Sequence, residues 1–302
     1  MITRVASITL EVPDLEASIG FFADHIGLTV TERRGSSAYL RARASHHDLV
    51  LVASEDERTV LQTLNFESDD VTGDVDRAIR AGARDLGTVE VAGADTAHIV
   101  EAAGGIGLLI HSTLHQIEHA PTPGLAQPEH FSHFNLGTPD PARLIQFFVD
   151  GLGMRNSDWI GSPEDPLIGW LHCPVDGALH HGVAVLKTED TRLHHISYEY
   201  DNAQEIVDRV DNFVDESHFL VWGMGRHGTG GSIFAYIEDV SGMMVELGTG
   251  MIRIGQDPRW NGPQVWSLDD QRGVDEWGSS IPEAWMAKRV DVAAPSALRK
   301  AP

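Results

Sequence analysis

Residues 7–30, SITLEVPDLEASIGFFADHIGLTV, and residues 133–156, HFNLGTPDPARLIQFFVDGLGMRN, are two copies of one pattern. Subtracting 7 from 133 gives an offset of 126. At that offset Pro13-Asp14 meets Pro139-Asp140, Phe21-Phe22 meets Phe147-Phe148, Asp24 meets Asp150 and Gly27 meets Gly153. Each copy reads as a strand, a Pro-Asp turn that opens an amphipathic helix, and a glycine at the helix C-terminus. The paired phenylalanines are expected on the core face of that helix.

A second unit recurs within each half. FESDDVTGDVDRAIRAGARDLG (66–87) parallels YEYDNAQEIVDRVDNFVDESH (198–218): a strand, an acidic turn and a helix carrying Val-Asp-Arg. Each half then closes on a strand–turn–strand, HIVEAAGGIGLLIHS (98–112) and SIFAYIEDVSGMMVELG (232–248). Alternation in AYLRARA and LVLVAS adds further strands. The chain is therefore predicted to be α+β, four βαβββ-like units paired into two domains at 1–120 and 121–255. The Pro-containing segment APTPGLAQPEH (120–130) is the expected boundary. The tail, 256–302, holds Trp260, Trp266, Trp277 and Trp285 and is expected to pack back on the body up to about residue 290.

Composition narrows the function classes. The chain has 302 residues, 42% hydrophobic and 22% charged, which is ordinary for a globular protein with two cores. A formal charge of −23 argues against nucleic acid as a partner. No apolar run is long enough for a membrane helix, and MITRVASITLEVPD lacks a secretory signal's apolar core, so a cytoplasmic protein is expected. Cys173 is the only cysteine, which leaves no disulfide framework and no cysteine metal cluster; its expected role is packing.

The halves differ where chemistry could sit. His133 opens the first strand of the second half, His195 opens its third unit, and Glu246 interrupts its last apolar strand. The first half has Ser7, Thr63 and His111 at the corresponding places, the last two by a looser alignment. Two histidines and a carboxylate suit a non-haem metal with open positions. On a strand, Glu246 shares a face with Met244 while Val245 and Leu247 take the other. A lone carboxylate facing a core would cost several kcal/mol unless it were paired or bound to a metal.

These residues resemble the two-domain (type I) extradiol ring-cleavage dioxygenases of the vicinal oxygen chelate superfamily, over roughly residues 5–250. The matching segments are SHFNL with His133, HHISYEY with His195 and MVEL with Glu246. HHGVAVL places His180 fifteen residues before His195, and GRH places His227 nine residues before Tyr236. Departures are Val240 in place of a proline after Asp239, Ala235 before Tyr236, and Thr229 where asparagine is usual.

The resemblance implies Fe(II), with Mn(II) second, held by His133, His195 and Glu246. It also implies a catechol and O2 as reactants, His180 as acid/base, and His227 and Tyr236 orienting the substrate oxygens. It further implies a homo-oligomer. Trp170 and Thr229 are candidate substrate contacts. His181 and His194 are expected to point away from the site as structural residues, and His46-His47-Asp48 to form a solvated turn. Arg226 and Arg253 could hold an anionic substituent, and the sequence leaves that open. Two alternatives remain: a metal-dependent glyoxalase-type isomerase or transferase of the same superfamily, and a metal-free ligand-binding protein.

Overall fold

The computed structural model describes residues 1–118, 124, 126–215 and 217–294. Residues 120–123 and 125 of the expected boundary segment, and the chain after 294, therefore lie outside the described residues. The first half comprises β1 (Ile2–Val12), α1 (Leu15–Phe21), β2 (Thr29–Arg34), β3 (Ser37–Arg41) and β4 (Leu49–Ala53). It continues with β5 (Val60–Ser68), α2 (Val71–Arg80), β6 (Arg84–Thr88), β7 (Ala97–Glu101) and β8 (Gly107–His111). The second half repeats the order with β9 (His130–Thr138), α3 (Pro141–Leu152), β10 (Arg155–Gly161), β11 (Pro166–His172) and β12 (Val183–Lys187). Its second unit is β13 (Arg192–Tyr200), α4 (Ala203–Phe213), β14 (Trp222–Arg226), β15 (Ile233–Glu238) and β16 (Met244–Thr249). This is the α+β arrangement of four βαβββ units that the internal repeats predict. No helix among the described residues is long and apolar enough to cross a membrane.

The predicted helix signals act as caps. Asp14 accepts a hydrogen bond from Ala17 N and Asp140 from Arg143 N, which satisfies backbone donors in the first turns of α1 and α3. Gly153 ends α3 in the left-handed conformation at φ 69°, which only glycine adopts without strain. The repeated Val-Asp-Arg motif has a reciprocal purpose. Arg77 of α2 donates to the carbonyls of Gly151 and Leu152 at the end of α3. Arg209 of α4 donates to the carbonyls of Asp24 and Ala126, so each half's arginine reaches at least one carbonyl of the other half. Phe66 of β5 meets Phe134 and Phe148 at ring distances of 5.9 and 6.2 Å, which joins the two halves in one core.

In each half the two units pair through their first strands. β1 runs antiparallel to β5, and β5 parallel to β8; β9 runs antiparallel to β13, and β13 parallel to β16. The register sets His133, Ser197 and Glu246 in one row across the sheet, with His195 two residues along the same strand face as Ser197. The equivalent row in the first half is Ser7, Asn65 and Leu109. Thr63 thus matches His195 as expected, but Leu109 rather than His111 matches Glu246; the looser alignment is corrected by two residues.

The tail packs on the body through β17 (Gln264–Trp266), beside β10, and β18 (Val290–Val292), which pairs with both β13 and β5. Between them the helix α5 (Glu283–Met286) buries Trp285 at 5% exposure, whereas Trp277 stays 57% exposed. The expected solvated turn at His46-His47-Asp48 is not one. His47 and Asp48 are buried, and Asp48 accepts from the N–H groups of Ala42 and, at 3.3 Å, of Phe131 in the other half. Cys173 is buried, and burial pushes its thiol up to about 12, as a packing role requires.

Candidate metal centre

Strands β9, β13 and β16 bring three buried side chains to one point. His133 Nε2 lies 3.2 Å and His195 Nε2 3.3 Å from Glu246 Oε2, and the two nitrogens are 3.4 Å apart. Among the described residues this is the one group of three histidine, cysteine or acidic side chains whose ligand atoms converge, all within 4.8 Å. Neither Glu246 oxygen accepts a well-oriented hydrogen bond although the residue is 1% exposed. A buried carboxylate among imidazole nitrogens without donated protons is unfavourable by several kcal/mol, and a divalent cation at the centre removes that cost. The N2O donor set with vacant positions fits a first-row metal.

Hydrogen bonding selects the histidine tautomers. His194 Nε2 is 2.9 Å from the Trp285 carbonyl, which can only accept, so Nε2 carries the proton. Neutral His194 then presents a lone pair at Nδ1, 2.8 Å from His195 Nδ1. His195 Nδ1–H must donate to it, which leaves the His195 Nε2 lone pair facing Glu246. His194 is therefore not a bystander on the far strand face: it ties a metal-ligand candidate to the tail. His227 is set the same way, its Nδ1–H donating to the Val274 carbonyl at 2.5 Å and its Nε2 accepting from Tyr236 Oη at 3.1 Å.

Electrostatics agree with these assignments. Burial alone would raise the Glu246 carboxyl, but the imidazoles of His133, His195 and His227 outweigh it and hold the group well below its usual range. Burial lowers His195 to about 4 against the pull of Glu246. Burial also lowers His181 and His227, and raises Tyr236 so that it stays a phenol. An ionised Glu246 beside a neutral His195 is the protonation state that metal ligation needs.

Above the triad opens a cavity of about 480 Å³. Tyr236, His227, Trp170 and Thr229 all line it. His180 does not. His181 takes the place expected for it, its ring 4.5 Å from that of His133 and 6.4 Å from Trp170. His180 instead lies 3.3 Å from Asp158 Oδ2 and against Trp260, with its Nδ1 3.1 Å from His181 Nδ1. The expectation that His181 points away from the site fails because residues 173–182 form a loop between β11 and β12, where side chains do not alternate as on a strand. Gly230 of the GTGG segment lets that loop approach: a Cβ there would lie 3.1 Å from His180 Nδ1 and 3.4 Å from His181 Cε1. Sequence reasoning also missed the tail, whose residues Ser267 to Met286 form one wall of the cavity. The tryptophan content of that stretch was the available signal.

Residues 130–247 match the Glyoxalase/Bleomycin resistance protein/Dioxygenase superfamily, and residues 7–104 match the Glyoxalase-like domain. The chain is 26% identical to a metapyrocatechase of Geobacillus stearothermophilus, over 96% of this chain and 94% of that protein. It is 27% identical to a manganese-dependent 2,3-dihydroxybiphenyl 1,2-dioxygenase of Geobacillus genomosp. 3, over 93% and 95%. Among solved structures, an extradiol ring-cleaving dioxygenase from B. fuscum superposes with a TM-score of 0.85 at 25% identity, covering 98% of this chain and 84% of that one.

Proposed function

We propose that this protein, whose second half matches the Glyoxalase/Bleomycin resistance protein/Dioxygenase superfamily and whose first half matches the Glyoxalase-like domain, is an extradiol dioxygenase that cleaves a catechol ring beside its vicinal hydroxyls with O2. The observation that carries this reading is the convergence of His133, His195 and an unpartnered Glu246 on the floor of a cavity that also holds His181, His227 and Tyr236. Glu246 is the one carboxylate among the cavity's described lining residues. A glyoxalase-type isomerase would need a further acidic ligand, and the first half offers Ser7, Thr63 and Leu109, with Ser7 and Thr63 already bonded to Asn65.

His133, His195 and Glu246 would hold the metal, Fe(II) in this reading, with Mn(II) the alternative suggested by the manganese-dependent relative. Bound there, the ion supplies Lewis acidity toward two vicinal oxygens and, as Fe(II), a path for electrons to O2. The chain's own residues do the rest. His181, its ring 4.5 Å from that of His133 and kept neutral by burial, is placed to take the proton of a catechol hydroxyl and return it to oxygen. Tyr236 Oη and His227 Nε2 form a hydrogen-bonded pair beside Glu246 that orients substrate oxygens. Trp222, Trp285 and Val274 exclude water from that side.

The test is to purify the protein anaerobically, measure iron and manganese, and supply catechols in air. About one metal per chain, stoichiometric O2 uptake and a yellow ring-opened product are expected. A metal-loaded protein that consumes no O2 with any catechol would refute the reading.

A further inference from the structure

Away from its polar floor the cavity is hydrocarbon. Ile160 of β10 and Leu167 and Ile168 of β11 line it, opposite Leu268, Ile281 and Met286 of the tail. These tail residues are 67%, 38% and 44% exposed, three of the ten large hydrophobic residues that the described chain leaves open to solvent. Three exposed apolar side chains at the rim of one cavity form a surface that gains by being covered. At about 480 Å³ the space falls in the range of sites that enclose ligands larger than a single ring.

Charge is handled just as clearly. Among the described lining residues no arginine appears, and the one cation, Lys187, is paired with Asp165 at 2.8 Å. The two arginines that the sequence left open turn elsewhere. Arg226 donates to the Gly231 carbonyl and sits over Trp277, and Arg253 lines a separate cavity near Glu129. An anionic substituent in the apolar part would lose its hydration with no counter-charge.

We propose that the substrate of this site is an uncharged catechol bearing an apolar substituent of at least phenyl size, held between the β10–β11 wall and the tail. This rests on the catechol reading above. It assigns Leu268, Ile281 and Met286 as specificity-determining residues.

The experiment uses the full-length, metal-loaded protein with catechol, phenyl-substituted catechols and a carboxymethyl-substituted catechol. Binding is measured anaerobically and kcat/KM in air. Phenyl substitution is expected to improve both by about tenfold or more over catechol, and the carboxymethyl group to worsen both by a similar factor. Ile281→Arg should shrink the gap between the phenyl and carboxymethyl substrates by at least about tenfold. Equal or better use of the carboxymethyl substrate by the unaltered protein, or no advantage for the phenyl group, overturns the proposal while ring cleavage itself stands. Selective anaerobic binding of phenylcatechol without any ring cleavage supports the assignment of the cavity and refutes the dioxygenase reading instead.

Discussion

Replacing His194 by phenylalanine should weaken metal binding without touching any proposed ligand. The substitution keeps an aromatic ring in the space against Trp285, whose ring lies 4.2 Å away, and removes both hydrogen-bonding nitrogens. His195 Nδ1–H then loses its buried acceptor at 2.8 Å, so its proton has no fixed position and Nε2 is no longer held as a lone pair. Outer partners of this kind are worth roughly 10- to 100-fold in metal affinity. That corresponds to about 1.4–2.7 kcal/mol. The assay is anaerobic titration of metal-free protein with Fe(II) or Mn(II) against a competing chelator. Thermal unfolding of the metal-free form serves as a control, because the Trp285 carbonyl also loses its donor and that loss costs about 1–3 kcal/mol. His194→Asn separates the two effects: its side-chain oxygen can stand near the Nδ1 position and accept from His195, while it cannot reach the Trp285 carbonyl. It should recover affinity but not stability. If His194→Phe binds metal as tightly as the unaltered protein, the tautomer argument is wrong.

His181→Ala should keep its metal and lose roughly 10²–10⁴ in turnover, with His180→Ala losing less because His180 acts through its neighbour; the opposite ranking in kcat would return the acid/base role to His180. The metal-free protein should lose stability on acidification. His130, His172 and His195 are lowered by burial to about 3, 4 and 4, so between pH 4.5 and 6.5 their unfolded forms bind protons that the folded forms refuse. Glu199, raised by burial to about 7, opposes them with one proton bound in the folded state. The buried imidazoles of His47, His181 and His194 are lowered in the same direction, so the unfolded chain binds the more protons, unfolding free energy falls as pH drops through that window, and a urea midpoint that stayed flat there would contradict it. Val240→Pro should be accepted. Val240 is 59% exposed in a turn already held by Asp239, whose Oδ1 accepts from the N–H groups of Ser241 and Met243. A gain of about 0.4–1 kcal/mol in unfolding free energy is expected, and a lowered Tm would show that the turn rejects proline.

By itself the sequence determined the repeat, and with it the fold. The strand–helix–Gly pattern recurs at one offset, and capping, alternation and helix periodicity are local properties carried by consecutive residues. It also marked His133, His195 and Glu246, because a carboxylate in an apolar strand and histidines at repeat positions stand out without coordinates. Three things waited for the tertiary structure. The register between β5 and β8 replaced His111 with Leu109 as the counterpart of Glu246, since pairing across strands is set by neighbours far away in the chain. The choice between His180 and His181 turned on a loop whose course depends on Asp158, Trp260 and Gly230, and alternation says nothing about a loop. The tail's carbonyls on His194 and His227, and its apolar wall above the site, come from backbone atoms and side chains brought back from more than forty residues away. A backbone carbonyl looks the same at every residue, so no reading of residue types could have placed it.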